Sequence, residues 1–181
     1  MEVNPQDILH FWFEEAEPEQ LFEKDVAFDA EIRARFAGTH EAAARGELAS
    51  WRDTPEGRLA EIIVLDQFSR NLFRDDPRAF ACDGIALVLA QEAICAGADR
   101  DMPPARRAFL YMPFMHSESR VIHVEAERLF RQPGLENNHA FELKHKAIID
   151  RFGRFPHRNR VLGRASTPEE LAFLEQPGSS F

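Results

Sequence analysis

The sequence predicts an all-α fold of antiparallel helical hairpins, for which a helical-repeat architecture is the natural candidate. Helix start and stop signals follow one another with short gaps, and strand-like alternation is absent. No pattern of about 34 residues recurs, so any repeat must be degenerate. The 181 residues suit one domain with its own core, which we predict to span 1–181, with 176–181 open to an extended conformation.

Helix starts are indicated by a capping side chain followed by proline, which fits the first turn because no hydrogen-bonded N–H is needed there. Such pairs mark successive helices at Asn4-Pro5, Thr54-Pro55, Asp76-Pro77 and Thr167-Pro168. Apolar residues at helical spacing also predict a second helix ending near Gly46 and a helix running from Asp76 to Gly97. Short turns between helices favour packing as antiparallel pairs.

The second half of the chain is predicted to contain a break between helices. Pro103 and Pro104 open a helix that should end before Pro113, because proline removes a helical hydrogen bond. The break exposes His116-Ser117-Glu118, and a further helix is predicted from Ser117. The next helix is predicted to be capped by Asn137 or Asn138 and to end at Gly153.

Charge and composition exclude several function classes. A net charge of -9, with no lysine-rich stripe, argues against nucleic-acid binding. The chain has no apolar run long enough to cross a bilayer and its start lacks a signal-peptide pattern, so we predict a cytoplasmic protein with no membrane partner. Cys82 and Cys95 are predicted to be buried and too far apart for a disulfide. With no HExxH or CxxC motif, neither a cofactor nor a metal site is predicted.

The most basic stretch is 151–164, which holds five arginines, one histidine and no acidic residue. Clustered guanidinium groups repel one another unless anions or carboxylates lie between them. The stretch therefore indicates either a ligand site or an internal salt-bridge network, and the sequence leaves both open. Residues 1–50 are rich in acidic side chains, so the two regions either meet in the fold or pair head to tail in a homodimer.

The ligand-binding candidates are side chains that can donate hydrogen bonds to a carboxylate or phosphate. They are Arg70, Asn71, Arg154, Arg158, Asn159 and Arg160. Because Arg70 lies four residues after Asp66, these two can pair on one helical face. A buried structural cluster that needs no ligand is therefore the alternative interpretation of this helix end.

The acid–base candidates are His116, Glu118, His145 and His157. Imidazole exchanges protons near neutral pH, and a neighbouring carboxylate sets its tautomer and charge. His145 lies on an apolar stripe, so a hydrogen-bonded core histidine is the alternative there. His123 is predicted to be a surface or partly buried residue outside the site.

Three motifs point to a family, namely Leu65-Asp66-Gln67-Phe68-Ser69-Arg70-Asn71, Met112-Pro113-Phe114-Met115-His116-Ser117-Glu118 and the 151–164 segment. The chain resembles the bacterial family called "domain of unknown function 924", and the likeness extends from Ile8-Leu9-His10-Phe11-Trp12-Phe13 to the closing Pro177-Gly178-Ser179-Ser180-Phe181. The resemblance implies a fold of the tetratricopeptide-repeat-like helical superfamily. It implies no substrate, mechanism or catalytic residue.

Three functional classes remain open. A helical scaffold that binds a peptide or protein is favoured by the superfamily resemblance, which is a warrant at the level of the fold. The alternatives are a binding protein for a small anionic ligand, and an enzyme that uses His/Glu acid–base chemistry, with or without a metal, beside an arginine-lined pocket. An open groove favours the scaffold, whereas a pocket containing His116, His157 and Arg158 favours the other two.

Overall fold

The computed structural model describes residues 3–180, and regular structure within that range is helical, with no strand. The α-helices are α1 (Pro5–His10), α2 (Val26–Ala44), α3 (Pro55–Ile63), α4 (Ser69–Leu72), α5 (Asp83–Cys95), α6 (Pro104–Met115), α7 (Arg120–Phe130), α8 (Glu136–Phe152) and α9 (Pro168–Leu174). The all-α prediction is confirmed, and the tetratricopeptide-repeat-like arrangement stays a prediction. Turns and bends follow α9, and residue 181, the last of the 176–181 stretch, lies outside the described residues.

Several predicted helix ends are confirmed. The Asn4 side chain accepts hydrogen bonds from the backbone N–H groups of Gln6 and Asp7, and Thr54 caps α3 in the same way. Thr167 and Glu170 form a reciprocal capping box at the start of α9. Gly153 ends α8 in the left-handed conformation, at a φ of 71°, which favours glycine because there is no Cβ to clash.

A buried central helix organises the core. It consists of α3 and a π-helical turn, Val64–Phe68, whose residues are all buried. α1, α2, α5 and α6 pack around it. The ring centroids of Phe11, Trp12 and Phe36 lie 5.3 to 6.1 Å from that of Phe68. Each fully buried side chain of this size contributes about 1.5–3 kcal/mol to stability.

The predicted break before Pro113 is wrong, because α6 continues through this proline to Met115. Pro113 removes one helical hydrogen bond, at a cost of about 3 kcal/mol. Leu110, Tyr111 and Phe114 are almost completely buried in the same turns, and their combined burial outweighs that loss. The chain therefore leaves the helix after Met115, three residues later than predicted.

Other boundaries also differ from prediction. The segment from Asp76 to Gly97 is divided into a 3₁₀ turn, Pro77–Phe80, and α5. α7 begins at Arg120, and α8 begins at Glu136 with no capping side chain. Cys95 is exposed, although Cys82 is buried as predicted. Within residues 3–180, no helix combines the length and the apolar character needed to cross a membrane.

Candidate functional site

A cleft of about 310 Å³ lies where three parts of the chain meet. One wall is formed by the 3₁₀ turn before α5 and the first residues of α5, which contribute Phe80 and Asp83. The segment after α6 contributes His116 and Glu118, and a 3₁₀ turn within the basic stretch contributes Arg158. Residues that are far apart in the sequence therefore line one small cavity.

Asp66 lies behind the cleft, on the π-helical turn of the central helix. Its side chain is completely buried. Oδ1 accepts hydrogen bonds from Nδ1 of His116 at 2.8 Å and from Nη1 of Arg70 at 3.2 Å. Oδ2 accepts a hydrogen bond from Nε2 of Gln67 at 2.6 Å. π-helical turns occur frequently at functional sites, and this one places the carboxylate between a histidine and an arginine.

The charges of this group follow from its surroundings. Burial alone would raise the pKa of Asp66, but the charge of Arg70 and the hydrogen bond from His116 hold it below its usual range, so Asp66 is ionised. Burial and the Arg70 charge lower the pKa of His116, so the imidazole is neutral at pH 7. An ionised carboxylate only accepts hydrogen bonds, so Nδ1 of His116 carries the proton and Nε2 carries a lone pair.

Asp83, the first residue of α5, contacts two arginines. Its Oδ1 accepts a hydrogen bond from Nη1 of Arg70 at 3.0 Å, and its Oδ2 accepts one from Nη2 of Arg70 at 3.1 Å. Oδ2 also contacts Nη1 of Arg158, at the longer distance of 3.3 Å. Asp83 thus forms a bidentate ion pair with Arg70 and a single long contact with Arg158.

Arg158 is the least compensated cation of the cleft. Its guanidinium lies between the rings of Phe80 and Phe155, 4.5 and 4.6 Å from their centroids, and the residue is only 7% exposed. Its Nε is buried and has no hydrogen-bond partner within residues 3–180. Burial and the nearby charge of Arg70 lower the pKa of Arg158 to about 10, so it stays protonated at neutral pH.

Glu118 connects the loop after α6 to the basic stretch. Its Oε1 accepts hydrogen bonds from the backbone N–H of Phe155 at 2.7 Å and from Nη2 of Arg164 at 2.9 Å, and its Oε2 accepts one from Nη1 of Arg164 at 2.6 Å. Burial raises the pKa of Glu118, but these hydrogen bonds and the Arg164 charge lower it more, and the carboxyl is ionised. Glu118 therefore holds the loop in place and contributes negative charge to the cleft wall.

The structure places the other predicted ligand-binding residues outside this cleft. Arg154 forms a bidentate ion pair with the buried Glu170 of α9. Asn159 is 1% exposed and donates hydrogen bonds to Ser166 and Glu170. Two more predicted residues also pair elsewhere, Arg160 with Asp75 at the surface and Asn71 with Asp29 on the side facing α2.

Two further acid–base candidates, His145 and His157, lie beside Phe155. Nδ1 of His145 donates to the Phe141 carbonyl at 2.8 Å, and the His145 ring is 5.7 Å from that of Phe155. The His157 ring is 5.6 Å from the Phe155 ring. Burial lowers the pKa of His145 to about 3 and that of His157 to about 4, so both are neutral at pH 7. Neither residue lines the cleft.

A histidine–glutamate pair lies below the loop that carries His116 and Glu118. His123 of α7 and Glu142 of α8 are both completely buried, which contradicts the prediction of an exposed or partly buried His123. Nδ1 of His123 lies 2.7 Å from Oε1 of Glu142, and its Nε2 lies 2.8 Å from the Ser117 carbonyl oxygen. A carbonyl only accepts, so Nε2 carries a proton, and a second proton must bridge Nδ1 and Glu142.

Four residues of this arrangement were absent from the predicted site, namely Asp66, Asp83, Phe80 and Arg164. Asp66 pairs with Arg70 as predicted, whereas its contact with His116, 50 positions away, has no local signal in the sequence. Asp83 and Phe80 carry no local pattern that distinguishes them from other helix-start residues. Among residues 3–180, no three His, Cys, Asp or Glu side chains converge in a way that suits a metal ion.

Comparison with known proteins agrees with this description of the fold. The sequence matches the family described as "Bacterial protein of unknown function (DUF924)" over residues 8–178. A solved structure of a protein of unknown function from Agrobacterium tumefaciens is 42% identical, covers 94% of this chain and 96% of its own, and superimposes with a TM-score of 0.90. No curated protein matches the sequence. The chain therefore belongs to the bacterial family of unknown function DUF924.

Proposed function

We propose that this protein binds a small anionic molecule, a carboxylate or a phosphate, in the cleft beside Arg158. The supporting observation is the state of that guanidinium. It is 7% exposed, has a buried Nε without a partner in the described chain, and shares Asp83 with Arg70 at 3.3 Å. A buried charge whose one ion pair is long costs stability, so a ligand that offers an acceptor to this guanidinium gains affinity.

The other arginines of the basic stretch support assigning this role to Arg158 alone. Arg151, Arg154, Arg160 and Arg164 pair with Glu169, Glu170, Asp75 and Glu118. These pairs attach the C-terminal segment to the helices and leave Arg158 as the member that turns towards the cavity. The basic stretch is thus mostly paired with carboxylates of this chain, and it holds one arginine in a binding position.

The size of the cleft favours a small molecule over a polypeptide. Its volume of about 310 Å³ lies at the lower end of the range for ligand pockets, about 300–1,000 Å³. Binding a folded partner buries about 800 Å² on each side, which needs a much larger surface. We therefore rank the peptide-binding or protein-binding scaffold, which the superfamily resemblance favours and which requires an open groove, below a small-molecule site.

The test of anion binding compares two arginines that are two positions apart. We expect Arg158→Ala to weaken binding of small carboxylates or phosphates by about ten- to a hundredfold, because it removes charge-assisted hydrogen bonds worth about 1.5–3 kcal/mol. Isothermal titration calorimetry with a panel of both anion classes measures the affinities. Arg160→Ala is the matched control, since Arg160 is exposed and pairs with Asp75 away from the cleft.

Thermal unfolding of both variants separates lost binding from lost folding. A panel in which no carboxylate or phosphate binds the native protein would refute the proposed function. Equal losses in Arg158→Ala and Arg160→Ala would also contradict it, because a general change in surface charge would then explain both.

A second candidate function, acid–base catalysis on the bound anion, is favoured by the Asp66–His116 contact. A neutral histidine with a fixed tautomer presents a lone pair at Nε2 and is suited to act as a general base. Removing a general base slows a reaction by about 10²–10⁴-fold. We therefore expect His116→Asn to slow any turnover of the bound ligand by about 10²–10⁴-fold, followed by NMR over time at ligand concentrations that saturate the site. Unchanged turnover in this variant would exclude His116 as the base.

A further inference from the structure

The charged groups around the cleft balance one another. Three carboxylates and three guanidinium groups form its polar set, namely Asp66, Asp83, Glu118, Arg70, Arg158 and Arg164. The neighbouring His116, His145 and His157 are neutral at pH 7 because burial lowers the pKa of each. The His123–Glu142 pair shares its bridging proton and adds no net charge. The cleft is therefore electrically neutral, although it contains a poorly compensated arginine.

This balance limits the ligands that suit the site. A simple monoanion that binds Arg158 leaves one uncompensated negative charge in a place partly shielded from water, which is unfavourable. The cleft wall also offers more acceptors than Arg158 uses. The carboxylates of Asp83 and Glu118 and the neutral imidazole of His116 all line the cavity. Nε2 of His116 presents a lone pair that a donor can approach.

A ligand with its own cation resolves both problems. Its negative group takes the donors of Arg158, and its positive group supplies N–H donors to the acceptors on the opposite wall. The added net charge is then zero, so the balance of the cleft is preserved. Apolar lining residues, among them Phe80, Leu87 and Leu162, leave room for an apolar substituent.

We propose that the ligand of this cleft is a small zwitterion with a carboxylate for Arg158 and an ammonium group for Asp83 and His116, the chemistry of a free α-amino acid. This inference rests on the proposed function, because it requires that Arg158 binds an anionic group. It goes further by naming the class of ligand and the residues that bind its ammonium group.

The test uses matched ligands that differ only at the α-carbon. Calorimetry compares alanine, lactate and propionate, and then phenylalanine, phenyllactate and phenylpropionate. We expect the amino acid of each set to bind about ten- to a hundredfold more tightly than the plain carboxylate, because only it makes charged hydrogen bonds to the acceptor wall. The hydroxy acid should lie between them. Equal affinity for all three members of both sets would overturn the inference while leaving the proposed anion site intact.

Proton uptake distinguishes the other way of keeping the cleft neutral. Titration in two buffers with different ionisation enthalpies gives the number of protons taken up on binding. An amino acid should bind with no uptake at pH 7. If the plain carboxylates bind as tightly as the amino acids and take up one proton each, His116 supplies the positive charge and the zwitterion is the wrong class. If no member of either set and no phosphate binds, the proposed function itself fails.

A variant of Asp83 provides a second test of the proposal. Asp83→Asn removes one negative charge from the wall and should reverse the preference, weakening the amino acids and strengthening the plain carboxylates, each by about tenfold. Asp75→Asn is the matched control, since Asp75 lies at the surface in its pair with Arg160. Thermal unfolding shows whether Asp83→Asn is folded. If it is not, the ligand series with the wild-type protein tests the proposal alone. If a folded Asp83→Asn protein still prefers amino acids to plain carboxylates as the wild type does, Asp83 does not bind the ammonium group.

Discussion

Asp66→Ala is expected to lower the free energy of unfolding by about 3–5 kcal/mol, the cost of breaking a buried ion pair by removing one partner. The carboxylate is completely buried and accepts hydrogen bonds from His116, Arg70 and Gln67. Its loss leaves Arg70 with Asp83 alone and creates a cavity in the central helix. Urea denaturation at pH 7 measures the effect, and a domain of this size should also lose about 6–20 °C in melting temperature.

Asp66→Asn is the control for this prediction. Asparagine fills the same volume and its oxygen still accepts the hydrogen bonds that Oδ1 receives, so the charge and the hydrogen bond from Gln67 are lost. We expect a smaller destabilisation than for alanine. An Asp66→Ala protein within 1 kcal/mol of the wild type would show that the pairing contributes little to the fold.

The ionisation of Asp66 also makes the stability of the protein depend on pH. The folded state holds the pKa of Asp66 below its unfolded value of about 3.9, so folding favours the ionised form. The stabilisation is complete above that value and disappears as the pH falls through the folded pKa. The wild type should therefore lose stability more steeply than Asp66→Asn below about pH 4, measured by denaturation across that range.

The second large effect is expected at the buried His123–Glu142 pair. His123→Leu leaves Glu142, which is 0% exposed, without the hydrogen-bond partner of its Oε1. The glutamate must then be protonated or remain as an unpaired buried charge, at a cost of about 3–4 kcal/mol at pH 7. Denaturant unfolding measures this loss.

The double variant His123→Leu/Glu142→Leu tests the explanation. Replacing both partners by apolar residues of similar size removes the unpaired charge, so we expect most of the lost stability to return. A double variant that is as unstable as the sum of the two single variants would mean that packing, and not the pair, accounts for the loss.

The pH dependence of this pair has the opposite sign to that of Asp66. Burial raises the pKa of Glu142, so the folded state holds this proton more tightly than the unfolded state does. The contribution is complete below the unfolded pKa of about 4.3 and is lost as the pH rises through the folded value. The wild type should therefore lose stability relative to the double variant as the pH rises above the unfolded pKa of glutamate, about 4.3.

The local parts of the fold were predictable because their causes are local. Asn4, Thr54 and Thr167 cap helices through their own side chains, and Gly153 ends one through its own backbone freedom. The prediction at Pro113 failed because it weighed a local hydrogen bond without the burial of the surrounding turns, which depends on the whole fold.

The site was less predictable because its contacts join distant segments. The five arginines of 151–164 look equivalent in the sequence, and only their partners separate them. Arg154 finds Glu170 on the next helix, whereas Arg158 meets Asp83, 75 positions away, and shares it with Arg70. A spacing rule does not reveal which cation remains poorly compensated after such pairing.

The π-helical turn at Val64–Phe68 also has a consequence for the length of related chains. Such a turn holds one residue more than the α-helical turn it replaces, so it is equivalent to a single-residue insertion. Deleting one residue there would turn all that follows by about 100° around the helix axis relative to α3. Arg70 would swing away from Asp83, while the apolar faces of α3 would still pack. A relative that lacks this one residue should therefore keep the helical architecture and have no such cleft, so chain length in this short segment distinguishes relatives that retain the site from those that share only its scaffold.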